Sequence, residues 1–253
     1  MSVKMGQVLS WIDAMAPLDL AEEWDNVGLL AGSMDAPVTA VLCALDLNEM
    51  VIDEAVRLGA NLIVTHHPIL FRGRRNLRED DPEGRMLCRL IRERIGLIAA
   101  HTNFDNAIPG VNNALAEKLG LEAIEAGECG MRSGVPVQKT LGEFVRHAED
   151  VLGGPVRCYG EADRAIHRVS VLGGAGGDYA HLARQAGSDV YLTGEIAHHK
   201  AWDAYLSGVC VLEAGHAATE LPAISMLADG LQKAADGVQC SVRIFVSQTE
   251  LFK

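Results

Sequence analysis

Two adjacent histidines, His66 and His67, are the first residues of the chain whose type and spacing could do chemistry. They follow an apolar, β-branched run at 62–65 that predicts a short buried strand after Gly59, and Pro68 keeps the chain from turning directly into a helix. Ligands collect at the carboxyl ends of strands in open α/β sheets, so paired imidazoles there favour a metal site. A hydrogen-bonded histidine pair beside a core fits the same pattern, and both interpretations stay open at this point.

Two further stretches place a carboxylate four residues after a histidine. His101 precedes Asp105, and His216 precedes Glu220, each pair following an apolar run that predicts a strand. The spacing of four would put His216 and Glu220 on one face of the first turn of a helix. Glu220 could instead cap that helix and complement its dipole, and the spacing alone does not exclude this role.

If the elements that carry these residues pack face to face, their donors converge on one cleft. The convergent set, with His101 close behind, contains three imidazoles and two carboxylates: His66, His67, Asp105, His216 and Glu220. Such a set suits zinc, iron, manganese or nickel, because hard ions prefer oxygen cages and soft ions prefer thiolates. Five ligands are too many for one open tetrahedral site and fit two divalent ions that share a carboxylate.

The elements that must position these residues alternate between strands and helices. An amphipathic helix ends at Pro17, and Asn48 is an N-cap for a helix that Gly59 closes. A capping box at 140–143 predicts a further helix. The weakly patterned stretch at 121–133 is interpreted as the crossover between two halves.

An internal repeat suggests that the two halves are related. A shift of 128 places lays 38–46 over 166–174 and brings Thr65 onto Thr193. Apolar strands can match by chance, but a duplicated unit explains the matches best. We therefore predict an α/β protein with two similar halves, 1–127 and 128–253, each a mixed sheet flanked by helices, with the metal site in the cleft between them.

Composition limits the classes of partner. The 253-residue chain has a net charge of -12 and no Lys/Arg-rich run, which argues against nucleic-acid binding and favours a small-molecule substrate. It shows no signal-peptide pattern and no apolar run near the roughly 20 residues needed to span a bilayer, so we expect no membrane partner and a cytoplasmic location. Six cysteines without C-x-x-C spacing fit reduced thiols better than a disulfide framework or a structural zinc site.

Five short motifs occur in order along nearly the whole chain. They are 24–28 (WDNVG), 65–68 (THHP), 101–105 (HTNFD), 193–195 (TGE) with His198 and His199, and 215–220 (GHAATE). Each motif alone is weak, but together they resemble the Nif-three-like dinuclear-metal-centre proteins, which are also known as GTP cyclohydrolase I type 2 homologs.

The resemblance implies specific ligand roles. His67 and Asp105 would hold one ion, His66 and His216 the other, and Glu220 would bridge the two. His101 would be an accessory ligand or would lie just behind the ligands. The resemblance also implies a homo-hexamer, a trimer of dimers, with its metal sites facing an internal cavity.

Three other features have weaker interpretations. His198 and His199 could line the cleft, although a packing or helix-capping role is as good an explanation. The glycine-rich stretch at 173–177 lacks a phosphate-binding frame and is interpreted as a plain flexible turn. The arginines at 72–78 could hold a phosphate, or could simply be solvated.

The leading hypothesis is a metal-dependent hydrolase that acts on a nucleotide or a phosphoester, with Glu220 and His101 as candidate catalytic residues. A non-catalytic metal-binding or metal-delivery hexamer is the alternative from a different class. A scaffold whose ions only join the two halves is a third.

Overall fold

In the computed structural model, which describes residues 3–249, the strands form one sheet of five, one of six and a separate antiparallel pair. The chain divides by its internal contacts into two units. The first unit consists of two segments of the chain, the residues up to Ala107 and those from Ile224 onward. The second unit is the continuous segment Ile108–Ala223.

The first unit contains the strand pair, the five-stranded sheet and four complete helices, all numbered here in chain order over the whole molecule. Its strands are β1 (Val3–Lys4), β2 (Gly28–Ala31), β3 (Pro37–Val38), β4 (Ala40–Ala44), β5 (Leu62–Thr65), β6 (Gly96–Ala99) and β13 (Arg243–Val246). Its helices are α1 (Met5–Met15), α2 (Glu49–Leu58), α3 (Pro82–Glu93) and α4 (Thr102–Asn106).

The order of the five strands is β13-β4-β5-β6-β2, with β2 antiparallel to β6 and all other neighbours parallel. Every residue of β4, β5 and β6 is buried, as expected for parallel strands covered on both faces. Thr65 ends β5 opposite Ala44 and Ala99 of its two neighbours. The residues that follow β5 and β6 therefore emerge side by side at one edge of the sheet.

Helix α2 shows how local chemistry sets the element boundaries. The Asn48 side chain accepts a hydrogen bond from the Val51 backbone N–H, and Gly59 closes the helix with a left-handed φ of 66°. Both ends are where the sequence predicts them. The apolar face of this helix packs Val51, Ile52 and other residues into a buried cluster with β4 and β5.

The second unit contains the six-stranded sheet. Its strands are β7 (Glu122–Ala126), β8 (Arg132–Val135), β9 (Arg157–Tyr159), β10 (Val169–Leu172), β11 (Val190–Thr193) and β12 (Cys210–Glu213). Its helices are α5 (Val111–Lys118), α6 (Leu141–Leu152), α7 (Ala180–Gln185), α8 (His198–Leu206) and the first part of α9 (His216–Gly237), in which the division between the units falls.

The order of these strands is β7-β8-β10-β11-β12-β9, in which β10, β11 and β12 are parallel and the other neighbours are antiparallel. The strands that a shift of 128 residues pairs hold matching positions: β4 with β10, and β5 with β11. The antiparallel edge strand beside the last parallel strand also has a counterpart, β2 in one sheet and β9 in the other.

The mixed α/β architecture with helix-flanked sheets is as predicted. The division of the chain differs from the expected boundary between residues 127 and 128, because Leu115 and Leu119 of the α5 region lie in the core of the second unit and β13 pairs with β4. The interpretation of 121–133 as the crossover between two halves is wrong, since this stretch lies within the second unit and contains β7 and the start of β8. β7 has mostly exposed side chains at a sheet edge and so lacks an apolar pattern.

Among the helices described, none combines the length and the apolar character needed to cross a membrane.

The Asn48 cap gives the first testable prediction. We expect Asn48→Ala to lower the free energy of unfolding by about 1 kcal/mol, because the Val51 N–H loses its acceptor. Urea denaturation measures the loss. Asn48→Asp is the matched control, since aspartate caps a helix equally well, and a loss as large for Asp as for Ala would contradict this role.

Candidate metal centre

His66 directly follows β5, and its side chain is buried. Its Nδ1 lies 2.8 Å from the backbone oxygen of Ala100, which follows β6. A carbonyl oxygen only accepts, so Nδ1 carries the hydrogen and donates it. In the neutral ring the lone pair then lies on Nε2, which is the nitrogen that can bind a metal in this tautomer.

His67 is oriented in a similar way by an acid. Its Nδ1 lies 2.8 Å from Oδ1 of Asp46, which follows β4 by two residues. The Thr65 hydroxyl donates to the His67 backbone oxygen at 2.8 Å and tightens the turn that carries both histidines. A carboxylate that accepts from Nδ1–H fixes the ring and raises the basicity of Nε2.

His101 is held by Asp25, whose side chain has no exposed surface. The His101 Nδ1 donates to Asp25 Oδ1 at 2.9 Å, and the Thr102 backbone N–H donates to Oδ2 at 3.0 Å. Burial raises the pKa of Asp25, but the hydrogen bonds from Thr102 and His101 outweigh it and keep that pKa below its ordinary value.

The pKa of His101 is also displaced. Burial lowers it, the neighbouring His66 lowers it further, and the hydrogen bond to Asp25 only partly opposes these effects. Because the net shift is downward, the neutral imidazole is favoured near pH 7, which is the form that binds a metal or accepts a proton.

The three histidines form one cluster. Their ring centroids are 4.9 Å (His66–His67), 5.1 Å (His66–His101) and 5.5 Å (His67–His101) apart. One nitrogen from each lies within 4.8 Å of the other two, a spacing that one divalent ion can span. Asp105, on α4, adds a carboxylate oxygen 3.7 Å from His66 Nε2. This donor set fits a borderline divalent metal ion.

The second unit carries a separate pair of donors on the first turn of α9. His216 Nε2 lies 3.2 Å from Glu220 Oε2, and His216 Nδ1 lies 3.5 Å from Glu195 Oε2. Glu220 is only 5% exposed, which is unusual for a residue that merely caps a helix. The predicted geometry of two donors on one helical face is present.

The glycine-rich loop after β10 packs closely against this pair. Gly174 has a φ of 60°, and a Cβ there would lie 2.2 Å from Glu220 Oε1 and 3.2 Å from His216 Nε2. The Gly174 N–H donates to the Thr219 hydroxyl at 3.0 Å. The loop that the sequence suggested was a plain turn therefore shapes the space around Glu220.

A family model described as Duf34/NIF3 (NGG1p interacting factor 3) matches residues 3–251. The chain belongs to the NIF3 family. This confirms the resemblance inferred from the five sequence motifs.

Curated relatives and solved structures agree with this assignment. A protein of Clostridium acetobutylicum is 32% identical over 99% of this chain and 98% of its own length, and one of Streptomyces coelicolor is 34% identical over 97% and 92%. Both are named GTP cyclohydrolase 1 type 2 homolog. The crystal structure of a Bacillus cereus protein related to NIF3 matches with a TM-score of 0.94 and 26% identity, over 99% of this chain and 98% of that one.

Within the first unit of this NIF3 protein, the structure brings the predicted residues His66, His67, His101 and Asp105 together. Within the second it brings together His216 and Glu220. Their roles as metal ligands, and the catalytic roles of His101 and Glu220, stay predictions.

Sequence reasoning missed three acids beside the histidines: Asp25 and Asp46, which accept hydrogen bonds from His101 and His67, and Glu195, whose Oε2 lies 3.5 Å from His216 Nδ1. Asp25 and Glu195 lie in the quoted motifs, but nothing in the spacing linked Asp25 to a histidine 76 positions later. Asp46 offered a usable signal, since it follows a buried strand as His66 and His101 do.

The other residues that the sequence suggested, His198, His199 and the arginines at 72–78, are not part of the histidine cluster. His198 and His199 start α8 with exposed side chains, and His198 lies 6.0 Å from the ring of Tyr159. In residues 3–249, neither belongs to a group of metal-donor side chains. Of the loop arginines, Arg74 pairs with Asp81 and Glu83, and Arg78 pairs with Asp80.

We expect Asp46→Ala to weaken metal binding by about 10- to 100-fold, because His67 loses the acceptor that orients it. Competition between the protein and a fluorescent zinc indicator measures the affinity. Asp53→Ala is the control, since Asp53 is an exposed acid of the same unit that pairs with Arg89. Equal affinities for the two variants would contradict the orienting role.

We expect Gly174→Ala to destabilise the protein by about 2 kcal/mol and to weaken metal binding, because the added methyl group displaces Glu220. Thermal unfolding and the zinc competition are the two measurements. Gly154→Ala is the control, since a Cβ at Gly154 meets no heavy atom within 4 Å. If the two alanine variants behave alike, the loop does not position Glu220.

Proposed function

We propose that this protein is a metal-dependent hydrolase with a dinuclear divalent-metal centre. The proposed ligands are His66, His67, Asp105, His216 and Glu220. The observation that carries the proposal is the histidine cluster of the first unit, in which each Nδ1 faces an oxygen acceptor and the donor nitrogens lie within 4.8 Å. That the donors of both units serve one centre is part of the proposal.

Two divalent ions supply Lewis acidity and lower the pKa of a bound water molecule. The side chains supply the proton transfers. His101 is favoured as a neutral imidazole and accepts a proton, and Asp25 stabilises the imidazolium that results. Glu220, beside His216, orients the attacking water.

The proposed substrate is a small molecule with a hydrolysable ring or a phosphoester, such as a nucleotide. The relatives' name, GTP cyclohydrolase 1 type 2 homolog, makes guanine nucleotides the first compounds to test. The net charge of -12 supports a small ligand rather than a nucleic acid.

We further propose a homo-hexamer, a trimer of dimers, in the cytoplasm. The family resemblance supports the assembly. The six cysteines are scattered without C-x-x-C spacing, which supports a reducing compartment. Light scattering coupled to size-exclusion chromatography measures the number of subunits.

The metal centre is tested first by stoichiometry and affinity. Metal-free protein is titrated with Zn²⁺, Mn²⁺, Fe²⁺ and Ni²⁺, and bound metal is counted after dialysis. We expect two ions per chain, and a loss of affinity of about 100-fold or more in His66→Ala and in His216→Ala alike, since each removes a ligand of a shared centre. His181→Ala, at an exposed histidine of the second unit, is the control.

The outcome separates a shared centre from two independent ones. If His216→Ala leaves binding by the first unit unchanged, the donors do not serve one centre and the dinuclear proposal is wrong.

Hydrolysis is tested on the same metal-loaded samples with a panel of nucleotides, phosphoesters and amides. We expect turnover that is lost in Glu220→Gln and retained in His181→Ala. Two bound ions without turnover on any of these compounds would reject the hydrolase and favour the metal-binding or metal-delivery hexamer.

A further inference from the structure

Two large aromatic side chains are exposed beside the histidine cluster of the first unit. Trp24 is 58% exposed and Phe71 is 45% exposed. Their ring centroids are 5.6 Å apart, and each lies 6.2 Å from the ring of His101. Exposed aromatic surface next to a few convergent polar groups is typical of a ligand site.

The segments that carry the two aromatic residues are joined to each other and to His101 by hydrogen bonds. Asp25, the next residue after Trp24, accepts the hydrogen bond from His101. The Asn26 side chain donates to the Leu70 backbone oxygen at 2.6 Å, and Leu70 precedes Phe71. Three consecutive residues, 24–26, therefore carry the Trp24 ring and the hydrogen bonds to the histidine cluster and to the Phe71 loop.

The two aromatic rings are tilted by 57° to each other, so a flat ring can lie parallel to one of them and meet the other with its edge. Trp24 and Phe71 are each inclined at 74° to the His101 ring, so neither stacks its face on it. A flat ring stacked on either aromatic face would lie about 3.5 to 4 Å above it, which keeps it in the neighbourhood of His101. A puckered, saturated ring cannot make this face-to-face contact over its whole area.

We propose that Trp24 and Phe71 form a stacking platform that binds a planar, conjugated ring of the ligand next to the histidine cluster. This inference rests on the proposed metal centre and adds a specificity to it: the group that is processed is part of such a ring or directly attached to one. Trp24 and Phe71 are binding residues in this scheme and take no part in proton transfer.

The test uses two probes with the same metal-binding group. Benzohydroxamate carries a planar ring, whereas cyclohexanecarbohydroxamate carries a saturated ring of the same size that is more hydrophobic. Calorimetric titration of the zinc-loaded full chain measures the affinity for each. We expect the planar probe to bind about tenfold more tightly, because only its ring stacks.

The variants assign this preference to the platform. Trp24→Ala and Phe71→Leu should each reduce the preference to about twofold or less, while Trp24→Phe retains most of it because it keeps a stacking face. Zinc affinity should not change, since neither residue is a ligand. Trp202→Ala is the control, because Trp202 is a tryptophan of the second unit with a similar exposure of 51%.

Equal binding of the two probes by the zinc-loaded protein, or a preference that survives Trp24→Ala and Phe71→Leu, would overturn the platform while leaving the metal centre intact. Failure of the chain to bind zinc would reject the proposed function instead. If the chain does not bind zinc, the stacking platform is tested by fluorescence in the metal-free protein.

For that measurement, Trp11→Phe and Trp202→Phe leave Trp24 as the only tryptophan of the three in the chain. Saturable quenching of its fluorescence by benzohydroxamate, absent with the saturated probe and lost in Phe71→Leu, supports the platform. Absence of saturable quenching overturns it.

Discussion

The hydrogen bond from a histidine Nδ1 to a fixed oxygen is the interaction on which the histidine cluster of the first unit depends. His66 uses a backbone carbonyl, His67 uses Asp46, and His101 uses Asp25. Each bond sets the tautomer and the ring orientation, so that the distal nitrogens are held near one another. The cost of holding three imidazoles together is lowered because His101 is kept neutral.

The five-stranded sheet brings the residues of the cluster close together, and the hydrogen bonds then orient their side chains. β4, β5 and β6 run parallel and in register, so the residues after them leave the sheet at one edge. Asp46, His66 and His101 follow three adjacent strands, which makes the acid and both histidines neighbours through backbone geometry alone. The second sheet repeats the arrangement, with Gly174 after β10, Glu195 after β11 and His216 after β12.

The sequence predicted the features that local chemistry determines. The Asn48 cap, the left-handed Gly59 and the apolar runs of the parallel strands each reflect a single residue or a short pattern. The donor residues were also identifiable, because histidines and acids at strand ends are distinctive. The partner of each histidine could not be predicted, since Asp25 is distant in sequence and is brought to His101 only by the pairing of β2 with β6.

Two features of the second unit, the strand β7 and the glycine-rich loop, were predicted less well from the sequence, each for its own physical reason. β7 is a polar edge strand, and its sequence carries no period-2 pattern because most of its side chains meet water. The close approach of the glycine loop to Glu220 depends on a backbone conformation at Gly174 that composition does not reveal.

The position of β13 has a consequence for biosynthesis. This strand, Arg243–Val246, completes the edge of a sheet whose other strands lie before residue 100, and Glu54 accepts hydrogen bonds from Ser247 and Gln248 just beyond it. On the ribosome, the continuous segment Ile108–Ala223 emerges before that strand is made. The first unit is thus completed only after the second unit has emerged, and the nascent chain carries the unprotected edge of β4 until β13 is made.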